Sequence, residues 1–323
     1  MNGIQIMSKY LILLLFSVSL NAFSATDSGH QYNKVSALKV TTLSTMLASR
    51  GIGEWGYSAL IEVDGKKILF DTGNRRDTVL KNAKDLDIDL SEVEDVILSH
   101  NHGDHTGGLL ALRTELIKKN PNALKRVHVG KGIFLPRANY QNRALNDKQK
   151  LIDAGVEFIE YEQVTEIFPG VWLTGNVERI HNERNWSGRG LIKTAQGEIE
   201  DTIPEDMSLV IDTEKGFVLI SGCGHAGIIN TMQHITKHIH PGPISTAIGG
   251  FHLVSASDEH LDWTANKLKS FGLTQIIGAH CTGIDALYSL RGLLGASRQN
   301  VVVGSVGDQF DLENGVKAGF IAR

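Results

Sequence analysis

The chain has little cysteine and no strongly charged segment, and both absences exclude classes of protein. Only two cysteines occur in 323 residues, Cys223 and Cys281, which excludes a scaffold stapled by several disulfides. The sequence leaves a single disulfide, formed in an oxidising compartment, as an alternative. Each cysteine lies within two residues of a histidine, His225 or His280, and this spacing favours a place at a metal site instead.

No run of lysine and arginine resembles a nucleic-acid-binding surface, and the formal net charge is only −4. We therefore expect a small-molecule substrate and no nucleic-acid partner. No linker rich in proline and serine divides the chain, which favours one domain. The composition is ordinary, with 41% hydrophobic residues, and predicts a packed core.

The chain also lacks an apolar stretch long enough to span a membrane comfortably. The apolar run at residues 10–20 follows Lys9 and precedes the small residues Ala22 and Ser24. This is the pattern of a secretory signal peptide. We expect a signal peptide over residues 1–24, a single domain over 25–323 and a periplasmic or secreted protein. An uncleaved membrane anchor is the alternative.

Strand-like and helix-like segments alternate along the chain, and this alternation predicts a layered α/β or α+β fold. In each half, a hairpin leads into a turn of small residues. The predicted strands include residues 37–44, 59–63, 67–70, 93–98, 208–212, 217–220, 245–249 and 275–278, and the predicted helices include 78–86, 228–238 and 258–271. The polar segment 138–150 is interpreted as an insertion or a lid.

The densest cluster of metal-ligand side chains lies on a turn after a short apolar run at residues 96–98. It contains His100, His102, Asp104 and His105 within six residues, and apolar residues at helical spacing follow. A strand-to-helix turn lets such side chains converge on one point. Imidazole and carboxylate are usual ligands of Zn²⁺ and similar ions. The cluster offers more ligands than one tetrahedral ion needs, which predicts two ions side by side.

Further ligand-type side chains follow other predicted strands. They are Asp71, Cys223, His225, His252 and His280. We expect these strand ends to open on the same edge of the sheets as the histidine turn, because functional loops collect at one edge of a rigid scaffold.

These motifs resemble those of the metallo-β-lactamase superfamily. The sequence His100-x-His102-x-Asp104-His105 matches the superfamily signature, and the strand that ends at Asp71 matches its upstream motif. Segments 222–228, 249–253 and 278–283 resemble a branch named for a dihydropterin-aminobenzene ribofuranosyl phosphate synthase. The resemblance runs from about residue 40 to the C-terminus. It implies a four-layer αβ/βα sandwich with two mixed sheets.

The resemblance also implies a ligand set for two divalent ions. Zinc is the expected ion, with manganese and iron as alternatives, because these ligand types suit several metals. The first ion would be held by His100, His102 and His225, and the second by Asp104, His105 and His280.

The resemblance leaves other roles open. Cys223 either bridges the two ions or lies behind them. His252 is either a ligand or an acid that contacts the substrate, and Asp71 resembles the aspartate that orients ligand histidines. Trp55 and Tyr57, on a glycine-rich loop, are interpreted either as an apolar wall over the ions or as ordinary packing residues.

The function predicted from the sequence is that of an exported metal-dependent hydrolase. A hydroxide shared by two ions would attack an ester, lactone, amide or phosphoester, with Asp104 and His252 as catalytic residues. We preferred hydrolysis because cofactor biosynthesis, the role of the named synthase, fits poorly with export. The alternatives are a synthase or transferase acting on a phosphorylated pterin-like compound, and a metal-binding protein without turnover. No signal in the sequence indicates the oligomeric state.

Overall fold

The structure is a computed structural model that describes residues 32–322. The predicted signal peptide over residues 1–24 lies outside this range, so the signal peptide and the export that it implies stay predictions. Within residues 32–322, no helix combines the length and the apolar character that a membrane crossing requires.

The described chain alternates strands and helices. The strands are β1 Leu38–Ser44, β2 Ser58–Val63, β3 Lys66–Phe70, β4 Asp95–Leu98, β5 Arg126–Gly130, β6 Glu157–Tyr161, β7 Thr165–Phe168, β8 Val171–Leu173, β9 Leu191–Thr194, β10 Gly197–Glu200, β11 Leu209–Thr213, β12 Gly216–Ser221, β13 Ile244–Gly249, β14 Gln275–Gly278, β15 Val301–Val303, β16 Gln309–Asp311 and β17 Gly315–Lys317. The α-helices are α1 Thr78–Asp85, α2 Gly103–Thr106, α3 Leu109–Leu116, α4 Arg143–Asp153, α5 Ile228–His238, α6 Asp258–Ser270 and α7 Ile284–Leu294.

Two large mixed sheets are built in the same way. The first has the strand order β17-β16-β1-β2-β3-β4-β5-β6, and the second has the order β15-β14-β13-β12-β11-β8-β7. In each, an antiparallel hairpin (β2–β3 or β11–β12) passes into parallel strands, β4–β6 in the first sheet and β13–β15 in the second. The predicted similarity of the two halves is confirmed.

Side chains of the central strands are buried on both faces. In β4, Ile97 belongs to the cluster between the two sheets, whereas Val96 and Leu98 pack under the helices of the first half. In β12, Ile220 faces the first sheet and Leu219 faces α5 and α6. Because successive residues of a strand point to opposite faces, these apolar runs produce four layers. The predicted four-layer α/β sandwich with two mixed sheets is confirmed.

The predicted insertion or lid at residues 138–150 is wrong for most of its length. Helix α4 occupies this region, and its Ala144 and Leu151 are buried in the core beneath the first sheet. These two residues are seven positions apart, so they share one face of a helix whose other residues are polar. The small exposed hairpin β9–β10, helix α7 and strands β7 and β15–β17 were not predicted. The strand segments are short or lack a clear apolar alternation, whereas α7 carries Leu287 and Leu290 at helical spacing and had a usable signal.

The C-terminal ends of β3, β4, β12, β13 and β14 lie at the edge where the two sheets meet. A side-chain carbon built on Gly222, just after β12, would lie 2.1 Å from Oγ of Ser99, just after β4. Parallel strands that start at one edge end together at the other. The fold therefore brings loops distant in sequence into direct contact at this edge.

Candidate metal centre

Asp71 connects the first two loops of the centre through its carboxylate. Oδ1 accepts a hydrogen bond from the main-chain N–H of Ser99 at 2.7 Å. Oδ2 accepts from Ser99 Oγ and from His105 Nδ1, both at 2.7 Å. All three residues are buried. The predicted orienting role of Asp71 agrees with this geometry, because the bond to Nδ1 turns His105 Nε2 towards the centre.

Ser99 determines the orientation of His100 in turn. Its hydroxyl gives its one proton to Asp71, so it must accept from His100 Nδ1, which lies 2.9 Å away. His100 Nε2 is then a lone-pair nitrogen, and it is buried without a hydrogen-bond partner among the described residues. The sequence analysis missed Ser99, although its place directly between β4 and His100 was a usable signal.

His225 is held by a main-chain group instead of a carboxylate. Its Nδ1 donates to the carbonyl oxygen of Asn185, and its Nε2 is likewise buried without a partner in residues 32–322. The Asn185 side chain donates to Gly224 O at 3.0 Å, and Asp206 accepts from the N–H of Ala226 at 2.8 Å. The loop that carries His225 is therefore held from two sides.

Three imidazoles form the first candidate position for an ion. His100, His102 and His225 place their ligand nitrogens within 4.8 Å of one another. The ring centroids of His100 and His225 are 4.7 Å apart, and those of His102 and His225 are 4.9 Å apart. The structure thus brings together the set that the resemblance implies for the first ion.

The second candidate position is formed by Asp104, His105 and His280. His280 Nε2 lies 3.3 Å from both His105 Nε2 and Asp104 Oδ2. Cys223 joins the two positions, because its Sγ lies 3.3 Å from His105 Nε2 and forms a further group with His100 and His105. All seven predicted metal ligands therefore converge.

Cys281 lies behind Cys223 and was not among the predicted ligands. Both thiols are free and buried, and their sulfur atoms are 3.2 Å apart. Cys281 Sγ also donates to the carbonyl oxygen of Cys223 at 3.4 Å. Cys223, His280 and Cys281 form an additional group that could hold an ion. Because both cysteines are free, the disulfide that the sequence left as an alternative is absent from the described residues.

Burial and mutual repulsion keep the first group of imidazoles neutral. Burial, with neighbouring imidazoles, lowers the pKa of His100 and of His225 well below the usual range. Burial also lowers the pKa of His102 to about 4. Neutral imidazoles have a lone pair to offer, and a metal ligand requires one.

The second group has the opposite electrostatics. Burial alone would lower the pKa of His105, but Asp71 and Asp104 outweigh it and raise the value to about 9. Burial alone would raise the pKa of Asp104, but His105 and His280 hold it well below the usual range. A divalent ion bound here would replace the extra proton of His105 and would be neutralised by the same carboxylates.

Three site residues adopt a backbone conformation that costs energy for any residue with a side chain. The φ angles are +55° at Asp71, +52° at His252 and +49° at His280. Left-handed conformations of non-glycine residues cost about 1–3 kcal/mol each and cluster at functional sites. The loops after β3, β13 and β14 therefore bend sharply to aim their side chains at the centre.

His252 and Trp55 lie at the margins of the centre. The ring of His252 is 4.6 Å from that of His225, and its Nδ1 has no partner among the described residues. Trp55 is half exposed, and its ring centroid lies 4.7 Å from that of His280. This contact of Trp55 with a candidate ligand fits both interpretations, whereas Tyr57 is fully buried.

A cavity of about 810 Å³ opens onto the first candidate position. His102, His225 and His252 line it at the metal centre. Tyr140 lies edge-on to His102 at 5.8 Å, and its hydroxyl donates to Asp201. Among the residues away from the centre that line this cavity, those with cationic or aromatic side chains are Tyr140, Arg184, Trp186, Arg189 and His260.

Comparisons with known proteins agree with this geometry. The family model described as the Metallo-beta-lactamase superfamily matches residues 56–175. Over 269 residues, the chain is 33% identical to the 7,8-dihydropterin-6-methyl-4-(beta-D-ribofuranosyl)-aminobenzene-5'-phosphate synthase of Methanocaldococcus jannaschii. That alignment covers 78% of this chain and 90% of the synthase.

Solved structures with the same architecture include Tm1679, a metal-dependent hydrolase of the beta-lactamase superfamily. It matches with a TM-score of 0.71 and 27% identity, and the match covers 84% of this chain and 98% of that one. The Zn²⁺-bound PqqB from Methylobacterium extorquens matches with a TM-score of 0.53 and 14% identity, covering 85% of this chain and 100% of that one. At that identity the likeness to PqqB concerns the fold alone.

Proposed function

The chain belongs to the metallo-beta-lactamase superfamily, in the branch of the archaeal synthase, and from this premise we propose a function. The protein is a metal-dependent synthase or transferase that acts on a phosphorylated, pterin-like compound. One observation carries the proposal: in a single cavity of about 810 Å³, candidate metal ligands lie beside aromatic and cationic side chains.

The prediction of an exported hydrolase is wrong. It rested on the histidine motif and on the expected export, but the relative that is 33% identical over 78% of this chain is named as the synthase of a phosphorylated pterin compound. The physical reason is that the motif determines how ions are held. The walls of the cavity determine what the ions act on, and one fold serves many reactions.

The residues present fit two divalent ions. Buried polar atoms without a partner are costly, and the Nε2 atoms of His100 and His225 are two such atoms at one position. In this proposal His100, His102 and His225 hold the first ion, and Asp104, His105 and His280 hold the second. Cys223 lies between them. Zinc suits this mixture of imidazole, carboxylate and thiol, with manganese and iron as alternatives.

Ions bound there would supply Lewis-acid polarisation of a substrate oxygen and stabilise negative charge that develops on it. The chain itself positions the substrate. Trp55 and Tyr140 offer ring surfaces beside the centre, where a planar heterocycle is held by stacking. His252 lines the cavity beyond the ligand imidazoles with an unpartnered Nδ1. That atom is buried, and His252 forms a further group with Cys223 and His225 that could hold an ion.

Direct assay tests the proposal. The zinc- or manganese-loaded protein is mixed with 4-(β-D-ribofuranosyl)-aminobenzene 5'-phosphate and a dihydropterin that carries a phosphate ester as leaving group on its 6-methyl carbon. We expect metal-dependent attack of the amino nitrogen on the methyl carbon, which breaks the bond to the phosphate ester and releases the amine proton to solvent, and mass spectrometry detects the joined product. The variant His102→Ala, with an unchanged circular dichroism spectrum, is the control and forms no product.

A protein that retains two ions yet forms no product from these compounds contradicts the proposal. That outcome favours the remaining alternative, a metal-binding protein without turnover. Counting ions per chain by elemental analysis separates this case from simple failure to load metal.

A further inference from the structure

Most charged side chains that line the cavity are already paired. Arg184 forms an ion pair with Glu200 at 2.5 Å. Asp201 accepts a hydrogen bond from Tyr140 and forms a buried ion pair with Arg137 at 2.8 Å. Paired groups have little to offer a charged ligand, because binding one would first require breaking the existing pair.

Arg189 differs from these residues. It lines the same cavity and is exposed. Within residues 32–322, its guanidinium makes no hydrogen bond or ion pair with another side chain. A free guanidinium on a cavity wall is a bidentate donor for phosphate or carboxylate.

The backbone that carries Arg189 is nevertheless held in place. The Asn139 side chain donates to the carbonyl oxygen of Arg189 and accepts from the N–H of Leu191 at 3.2 Å. The N–H of Arg189 donates to Ser187 Oγ at 3.1 Å. The Ser187 oxygen accepts this bond through a lone pair, so its hydroxyl proton remains able to donate to a ligand. A held backbone reduces the entropy that ligand binding must overcome.

Nearby cations are engaged in holding Trp186. The guanidinium groups of Arg179 and Arg184 lie 5.0 and 5.4 Å from its ring centroid. Arg179 also donates to the carbonyl oxygen of Ile203 at 3.0 Å. These contacts leave Arg189 as the free cation of this wall among the described residues.

The proposed reaction places the reacting atoms and the phosphate at different ends of the substrate. The archaeal relative is named for a compound whose phosphate is on the 5' carbon of a ribose. The new bond joins the pterin methyl group to the aminobenzene. If that bond forms beside His102 and His225, the phosphate must lie elsewhere in the cavity. Binding energy from such a remote group can be used to position the reacting one.

We propose that Arg189, with the hydroxyl of Ser187, forms the subsite for the non-reacting phosphate group of the substrate. This inference rests on the proposed function. The subsite makes the enzyme select the phosphorylated compound over its dephosphorylated form, while the metal centre holds the reacting end.

The test compares Arg189→Gln with the matched control Arg184→Gln, which removes a guanidinium of the same loop that is already paired. Both metal-loaded variants are assayed with the aminobenzene riboside in its 5'-phosphorylated and dephosphorylated forms. We expect Arg189→Gln to lower the ratio of kcat/KM for the two forms about 10- to 100-fold, mainly through KM. Arg184→Gln should keep the wild-type ratio, and Arg189→Lys should recover part of it.

An equal loss for both forms, or the same change in both variants, would overturn the subsite. If the wild type shows no turnover, the proposed function fails and ribose 5-phosphate serves as the probe in calorimetry. Binding that is weakened about 10-fold or more by Arg189→Gln alone supports the subsite independently of the reaction. Binding that is absent in the wild type, or unchanged in Arg189→Gln, overturns it.

Discussion

The two sheets contribute to the metal centre in different ways. The first sheet provides four candidate ligands, His100, His102, Asp104 and His105, from one continuous turn, and a side chain, Asp71, orients His105 and holds Ser99. The second sheet provides Cys223 and His225 from one loop and His280 from another, tens of residues further along the chain, and a main-chain carbonyl orients His225. The first contribution is therefore local in sequence and can be altered by single side-chain changes. The second depends on how the fold places backbone segments.

The largest expected effect tests whether both sheets hold the first ion, by removing one ligand of that ion from each sheet. We expect His102→Ala and His225→Ala to lower the metal content equally, from about two ions to about one per chain, because each leaves two imidazoles at a site that needs more. Elemental analysis after gel filtration provides the count. A His225→Ala protein that keeps both ions would show that the second sheet does not ligate the first ion.

The next largest effect compares the side-chain carboxylate that orients His105 with the main-chain carbonyl that orients His225. Asp71→Asn removes the charged acceptor of His105 and of Ser99, and we expect metal affinity to fall about 10- to 100-fold. Asn185→Ala should have a smaller effect, because the carbonyl that accepts from His225 Nδ1 stays in place. Competition with a chelating dye measures both affinities. Equal losses in the two variants would remove the distinction between the sheets.

The contact between the sheets offers a third test. A methyl group at Gly222 would lie 2.1 Å from Ser99 Oγ and 2.7 Å from Asp71 Oδ2, so we expect Gly222→Ala to lower the free energy of unfolding by about 1–3 kcal/mol. The control is Gly292→Ala in α7, where a methyl group meets nothing within 4 Å. It should stabilise the helix by about 0.5–1 kcal/mol. Denaturant titration measures both, and a neutral Gly222→Ala would contradict the tight contact.

The smallest expected effect concerns a carboxylate of the second half that, unlike Asp71, accepts only from main-chain groups within residues 32–322. Glu183 binds the N–H groups of Ile229 and Asn230 at the start of α5. Burial raises its pKa to about 7, although the N–H groups lower it in part. The pKa of the folded state is above the unfolded value of about 4.3. The protonated carboxyl therefore contributes to the free energy of unfolding below about pH 4, and this contribution is lost as the pH rises towards 7.

Glu183→Gln cannot ionise, so this loss should be absent from the variant. Thermal melting of metal-free wild type and variant between pH 5 and 8 tests the prediction, and the difference in Tm should shift in favour of the variant as the pH rises. A difference that is constant with pH would show that Glu183 does not titrate in this range.

Much of the fold could be predicted from the sequence because its central elements have simple periodicity. Helix α5 and strand β14 begin and end where their apolar patterns predicted. The errors lie where periodicity is weak. Helix α4 has only two buried residues in a polar segment, and the β9–β10 hairpin has one buried residue, Ile192. Such elements are stabilised by tertiary contacts that a linear pattern does not record.

The candidate site divides in the same way. The seven predicted ligands converge because each follows a strand, and strand ends meet at one edge. Ser99, Asn185 and Arg189 escaped prediction. Ser99 and Asn185 act through short hydrogen bonds to ligand loops, and Arg189 is distinguished only by having no partner on the cavity wall. These hydrogen bonds and this unpaired guanidinium exist only in the folded chain, although the position of Ser99 directly before His100 is visible in the sequence.

By itself, the sequence determined the superfamily and the candidate metal ligands, because ligand chemistry belongs to residue types and a turn of six residues places four of them together. Only the tertiary structure decided which imidazole nitrogens face the centre, and which cations remain free on the cavity wall. These properties depend on hydrogen bonds and ion pairs between segments far apart in the chain. The sequence misassigned the reaction for the same reason, since the cavity that selects a substrate is built from several loops at once.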